Sequence, residues 1–110
     1  MAELQRFLTQ DGIGPDQMLQ AAQAYMNLGQ PDAAIAALQL MTQRFPQDAR
    51  SFYSIAMVRS LQRNTGEAMA MLQRAIQLMP DLRGKAATDP AFTPLHGNPQ
   101  FQQLVGSTAQ

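Results

Sequence analysis

The fold is decided by residues 49 to 82, which read ARSFYSIAMVRSLQRNTGEAMAMLQRAIQLMPDL. Apolar residues recur in this stretch at spacings of three and four in two separate runs, which is the pattern of an amphipathic helix. The runs are separated near Asn64-Thr65-Gly66, and Pro80 closes the second run because proline cannot continue a helix. The stretch therefore predicts two helices that are joined by a short turn and packed antiparallel.

The preceding stretch, residues 15 to 48, repeats this pattern. Pairs of identical residues separated by 34 positions are Ala22 with Ala56, Ala34 with Ala68, Leu38 with Leu72 and Pro46 with Pro80. A fixed period of this length indicates a helical-repeat architecture, in which each unit buries its apolar face against its neighbours. We therefore expect two repeats, over residues 15–48 and 49–82.

The two units resemble tetratricopeptide repeats. The residues that carry the resemblance are Met18, Ala21, Ala22, Tyr25, Ala34 and Leu38 in the first unit and Phe52, Ile55, Ala56, Ala68, Leu72 and Ala75 in the second. Arg59 departs from the family pattern, where an aromatic or aliphatic residue is usual, and Met41 departs where alanine is usual. Packing around these two residues is then looser, or Arg59 reaches solvent along its apolar stem. The resemblance implies an all-α fold, a short α–α superhelix of helical hairpins with N- and C-terminal caps.

The start of the chain predicts one further short helix, over residues 1–12, within a single domain of residues 1–110. Leu4, Phe7 and Leu8 lie on one face of this helix. We interpret it as an N-terminal cap. The alternative is that it is the second helix of a preceding repeat in a longer array.

The end of the chain, residues 83–106, predicts a C-terminal cap because the repeat pattern fades after Leu82. Gly84 and Asp89-Pro90 cut short a third repeat, and turns and one short helix follow. The apolar residues available to cover the last repeat are Phe92, Leu95, Phe101, Leu104 and Val105. Similar DP-x-F and NP-x-F endings close helical-repeat segments in some bacterial proteins.

Several residues mark where helices begin and end. Pro15 and Pro31 suit the first turn of a helix, because a backbone N–H at that position would have no hydrogen-bond partner within the helix. Gly29 is expected to close the first repeat's first helix. The predicted N-cap residues are Asp48, Thr65 and Asn98.

Composition excludes several classes of function. The chain has 110 residues, a formal net charge of +0 and no cysteine. A nucleic-acid partner is not expected because there is no excess of basic residues to neutralise phosphates, and disulfides and thiolate metal sites are excluded. The first residues, MAELQRFLTQDG, contain no long apolar run. We therefore expect no signal peptide and no membrane insertion, and a cytoplasmic location by default for the chain as given; if the chain is part of a longer parent protein, its location stays open.

Catalytic groups are sparse. His96 is the one histidine, and it lies in a loop without a neighbouring acid or serine in a known motif. Most acidic residues lie at helix starts or in turns, where capping accounts for them. No phosphate-binding loop, dinucleotide fingerprint or metal-ligand spacing occurs. We therefore predict a protein that is not an enzyme and has no cofactor and no metal site.

Methionines divide into two groups. Met18, Met41 and Met69 are expected in the core. Met26, Met57 and Met71 fall outside the stripes that pack each hairpin. A flexible thioether surface suits apolar partners, so these three are candidates for a binding surface.

In the tetratricopeptide family the first helices of successive repeats line a concave surface, and the matching positions here form a mixed apolar and amide patch. The predicted peptide- or partner-binding residues are Leu19, Gln23, Met26, Asn27, Arg50, Tyr53 and Met57, with Ser54 and Leu61 at further matching positions. The alternative is that these residues only touch neighbouring helices. Some family members clamp a carboxylate with Lys and Asn, and the positions of that clamp are here Leu19, Gln23, Ser54, Gly84 and Thr88. The resemblance therefore implies no such clamp.

Two functions remain open at this point. The first is a protein-interaction module that binds a peptide or a partner helix on the concave face. The second is a structural or assembly unit, which is either a homo-oligomer or the tail of a larger parent protein.

Overall fold

The computed structural model describes residues 14–106, and every regular element in that range is a helix. The elements are α1 (Pro15–Asn27), α2 (Pro31–Arg44), α3 (Ala49–Leu61), α4 (Thr65–Leu78), α5 (Leu82–Thr88), a 3₁₀ helix (Pro90–Leu95) and α6 (Pro99–Gly106). The all-α prediction is confirmed. The helix predicted over residues 1–12, with Leu4, Phe7 and Leu8, lies outside the described residues.

Two antiparallel hairpins, α1 with α2 and α3 with α4, form the body of the fold. Each hairpin contributes to its own cluster of buried apolar side chains. Alanines such as Ala34 and Ala68 are fully buried where paired helices pack, because a small side chain permits close approach. Met18, Met41 and Met69 are buried, as predicted.

Arg59 is accommodated without disturbing the core. Its Nε donates to Glu67 Oε1 on α4, and its Nη1 donates to Gln62 Oε1 at 3.0 Å. The side chain stays 21% exposed. Arg59 therefore keeps its charge paired at the surface, which is the second of the two outcomes expected for this position.

Most predicted helix starts are confirmed, and one is shifted by a residue. Asp48 Oδ1 accepts the backbone N–H of Arg50 at 3.0 Å, and Asn98 Oδ1 accepts the N–H of Gln100 at 2.7 Å. The prediction of Thr65 as the N-cap of α4 is wrong. The cap is Asn64, whose Oδ1 accepts the N–H of Glu67 at 3.3 Å, and Thr65 is the first helical residue.

The turns after α1 and α3 have the same backbone geometry. Gly29 has φ +73° and Arg63 has φ 65°, both in the left-handed region, and the two residues are 34 positions apart. In each turn the next N–H bonds back into the helix, from Gln30 to Tyr25 O and from Asn64 to Arg59 O, at 2.9 Å. This is the Schellman motif, in which glycine is the preferred left-handed residue.

The C-terminal segment covers the open side of the second hairpin. Phe92 and Leu95 of the 3₁₀ helix and Phe101 of α6 are buried in the same cluster as the apolar residues of α4. Asp89 ends α5 and begins the 3₁₀ helix, with its Oδ1 accepting the N–H of Ala91 at 2.9 Å. Asn98 lies 34 residues after Asn64, so α6 begins where the second helix of a third repeat would begin.

Exchanging the two left-handed turn residues tests this description. Arg63→Gly is expected to raise the free energy of unfolding by roughly 1 kcal/mol, because a side chain in the left-handed region is strained. Gly29→Arg is expected to lower it by a similar amount, roughly 1 kcal/mol, for the same reason. Urea denaturation of both variants and of the double exchange measures the effects. Changes of the same sign in both single variants would contradict the turn geometry.

Candidate functional site

An open groove lies between α1 and α3, the first helices of the two repeats. Its volume is about 510 Å³. The lining residues are Leu19, Gln20, Ala22, Gln23, Met26, Leu38, Ser54, Met57, Val58 and Leu61. None of these residues carries a charge, so the groove offers apolar contact with a few neutral polar groups.

Helix periodicity places the apolar residues of the groove. Leu19 and Met26 are separated by about two turns of α1 and therefore share one of its faces. Met57 and Leu61 are separated by about one turn on α3. Leu19, Met26 and Met57 are partly buried, whereas Leu61 is 53% exposed. The groove is thus an apolar strip that is only partly removed from water.

Amide and hydroxyl groups supply the polar part of the lining. The Gln23 side chain donates from Nε2 to Asn27 Oδ1 at 3.3 Å, within α1. Gln20 and Ser54 add a second amide and a hydroxyl. Such groups bond equally well to the N–H and the C=O of a peptide backbone.

Four of the seven residues predicted from the sequence meet in this groove: Leu19, Gln23, Met26 and Met57. Asn27 is exposed beside it and is joined to it through its hydrogen bond with Gln23. The lining residues that were not predicted for this surface are Gln20, Ala22, Leu38 and Val58. The 34-residue period could have predicted Gln20, because this residue lies 34 positions before Ser54, which the sequence places on the same face.

Arg50 lies outside the groove lining and is held by two carboxylates. Its Nη1 donates to Asp16 Oδ1 at 2.6 Å, and its Nη2 donates to Asp48 Oδ2 at 2.7 Å. The hydrogen bond from Arg50 is the main cause that lowers the pKa of Asp48. Arg50 therefore links the starts of α1 and α3, and its charge is already paired.

Models of known protein families match the chain in two places. A tetratricopeptide repeat model matches residues 15–58, and a second model of the same description matches residues 49–82. The chain belongs to the tetratricopeptide repeat family. Repeats of this family generally mediate protein–protein interactions. No curated protein and no solved structure gives a significant match.

Tyr53 occupies a different place in the tetratricopeptide array from the one predicted. It is only 3% exposed, and its ring meets Phe92 edge-on with centroids 5.4 Å apart. Its hydroxyl donates to Asp89 Oδ2 at 2.7 Å, and Lys85 Nζ lies over its ring, 5.1 Å from the centroid. Because the C-terminal segment covers this side chain, Tyr53 presents almost no surface to a partner.

Within residues 14–106, the histidine and the acidic side chains lie outside the groove lining. His96 is exposed, with its ring 5.6 Å from that of Phe101. Among the described residues, no group of three or more His, Cys, Asp or Glu side chains is placed to hold a metal ion. None of the helices in residues 14–106 has both the length and the apolar character needed to span a membrane.

Removing the Tyr53 hydroxyl tests the contact with Asp89. Tyr53→Phe is expected to lower the free energy of unfolding by about 1 kcal/mol at neutral pH, because Asp89 loses a hydrogen-bond donor. Urea denaturation of the two proteins measures this difference.

The same substitution has an effect at alkaline pH. Burial, followed by the hydrogen bond to Asp89, raises the pKa of Tyr53 above its ordinary value. A raised pKa stabilises the fold below the pKa of the unfolded state, about 10, and this contribution is lost as the pH rises above it. We expect wild-type stability to fall above about pH 10 and Tyr53→Phe to reduce that fall. An equal fall in both proteins would contradict the assignment.

Proposed function

We propose that this protein is a non-catalytic interaction module that binds an apolar peptide or partner helix in the groove between α1 and α3. The observation that carries the proposal is the groove itself, an uncharged apolar strip whose Leu61 side chain is 53% exposed. Contiguous exposed apolar surface of this kind is a mark of interaction sites. The residues proposed to contact the partner are Leu19, Gln23, Met26 and Met57, with Asn27 at the rim.

The groove is suited to bind a partner with modest affinity and to adapt to the shape of that partner. Covering a leucine-sized side chain contributes roughly 1.5–3 kcal/mol, and association itself opposes part of that gain. Met26 and Met57 can change rotamer to follow the shape of a bound side chain. The amides of Gln20 and Gln23 can meanwhile satisfy the partner's backbone. These properties favour recognition of one short apolar segment over a large rigid interface.

We propose that the protein is not an enzyme. The acids that contact other groups are engaged in structure: Asp48 and Asp89 cap helices, Asp16 pairs with Arg50, and Glu67 pairs with Arg59. A formal net charge of +0 supports a protein partner over a nucleic acid. We also propose a cytoplasmic location and no insertion into a membrane.

A self-associating assembly unit is the second candidate function. Leu28 and Met79 are also exposed, at 57% and 44%, and together with Leu61 they offer apolar surface to another copy. Sedimentation over a concentration range measures this directly. A monomer at every concentration would remove this candidate and leave the groove free for another protein.

Selection of peptides tests the proposed groove. The full chain is immobilised, binders are selected from a random peptide display library, and affinities of the selected peptides are measured by calorimetry. Met57→Glu and Leu61→Lys place charges in the groove, and each is expected to weaken binding by about tenfold or more, equivalent to 1.4 kcal/mol. Gln77→Glu adds a charge at an exposed position of α4 and is the matched control.

The selection contradicts the proposal if the best binders tolerate both groove substitutions without loss. Circular dichroism of each variant confirms that the helices are retained. The control variant is expected to bind as the wild type does, because Gln77 does not line the groove.

A further inference from the structure

The methionines of the described residues differ in what surrounds their sulfur atoms. The buried ones are Met18, Met41 and Met69. An oxidant in solution reaches these three only when the fold opens. Met79 is 44% exposed at the end of α4, and Met26 and Met57 line the open groove. Met71 lies in none of these places, and it does not line the groove.

Met71 lies between the two clusters of buried side chains. The first cluster contains residues of α1 and α2 together with Ile55 and Val58 of α3, and the second contains residues of α3, α4 and the segment 82–106. Met71 is partly buried on α4 and packs against both clusters. Among the partly buried apolar side chains within residues 14–106, it is the one that the two clusters share. Its side chain therefore links α4 to the core of the first repeat.

The repeat pattern does not require a sulfur atom at this position. Ala37 lies 34 residues before Met71 and Val105 lies 34 residues after it, and both are buried. Met71 is the least buried of the three equivalent residues. The oxidisable side chain thus stands where the two repeats meet, and it is partly open to solvent.

We propose that Met71 is an oxidation site, at which a peroxide weakens the packing between the two repeats. The thioether sulfur attacks one oxygen of hydrogen peroxide, so that an S–O bond forms as the O–O bond breaks. The sulfur loses two electrons, and the proton of the transferred hydroxyl passes to the departing hydroxide. The products are methionine sulfoxide and one water molecule.

The surroundings of Met71 make its oxidation costly to the fold. The new sulfoxide oxygen is a polar acceptor beside two clusters of apolar side chains. If it faces them, it loses its hydrogen bonds to water, which is unfavourable. If it turns toward water, the side chain leaves the first cluster. Either arrangement weakens the link between α4 and the first repeat.

Oxidation of the other accessible methionines has no such consequence. The sulfoxide of Met79 stays in water at the end of α4, because this side chain is already largely exposed. The sulfoxides of Met26 and Met57 face an open groove, where water reaches the oxygen. Their oxidation changes the polarity of the groove and leaves the contact made by Met71 in place.

The first repeat is the part of the structure that oxidation of Met71 loosens. Within the described residues, the first hairpin contacts the rest of the chain mainly through the packing of α2 on α3, to which Met71 adds the contact from α4. The second hairpin keeps Phe92 and Leu95, which are buried in its cluster. Local opening of residues 15–48 therefore becomes more frequent, whereas residues 49–106 stay packed.

Treatment of the full chain with hydrogen peroxide tests the inference. Mass spectrometry of peptides gives the oxidised fraction of each methionine, and urea denaturation gives the stability before and after treatment. Oxidation of the wild type is expected to raise the unfolding equilibrium constant by about tenfold. Met71→Leu retains an apolar side chain of similar size that forms no sulfoxide, so treatment is expected to leave its urea midpoint unchanged. Met79→Leu is the matched control, and it is expected to lose as much stability as the wild type.

Hydrogen exchange measured by mass spectrometry locates the effect. In the oxidised wild type, amides of residues 15–48 are expected to exchange faster, whereas those of residues 65–78 keep their protection. Oxidised Met71→Leu is expected to show neither change. A pair of methionine sulfoxide reductases, one for each sulfoxide epimer, is expected to restore the original exchange.

Three results would overturn the inference. The first is that Met71 stays unoxidised under conditions that convert Met79 completely. The second is that Met71→Leu loses as much stability on treatment as the wild type does. The third is that exchange becomes faster to the same extent in both repeats, because this would mean that oxidation acts on the whole fold and not on the contact between the repeats.

Discussion

The structure depends on the constraint that every helical hairpin in a stack must have its apolar side covered by the next element. The second hairpin has no complete third repeat to cover it. Phe92 meets the requirement, because its ring is fully buried against Tyr53 and close to Phe101, with centroids 5.4 Å and 6.0 Å apart. The Asp89-Pro90 break is what lets the chain place this ring there, and the rest of the C-terminal segment is organised around it.

Apolar packing, more than charge, holds the two repeats together. The ion pair between Asp16 and Arg50 joins the two first helices, but Asp16 is largely exposed and water screens such pairs. Exposed pairs of this kind contribute between roughly 0 and 1 kcal/mol each. The stack is therefore held mainly by the two buried clusters, and we expect its stability to depend little on salt concentration.

The parts of the fold that the sequence predicted are those governed by local chemistry and by the 34-residue period. Prolines, capping residues and apolar spacing predicted every described hairpin helix. The prediction of Thr65 as the N-cap of α4 was wrong because of the preceding turn. Arg63 is left-handed and the N–H of Asn64 bonds back into α3, so Asn64 is the last residue before α4. The sequence did not predict the burial of Tyr53, because its partner Asp89 is 36 residues away, in a segment where the repeat pattern had ended.

The comparison of equivalent positions explains why a repeated apolar pattern produces core in one place and open surface in another. The same face of a first helix lies under a ring at Phe92 and beside a smaller side chain at Val58. Side-chain volume and the break at Pro90 decide between the two, since the underlying helices share one pattern. Open apolar surface in such an array therefore arises where a repeat departs from its copy, and the consequence of such a departure is visible only when the equivalent positions of the two repeats are compared in the structure.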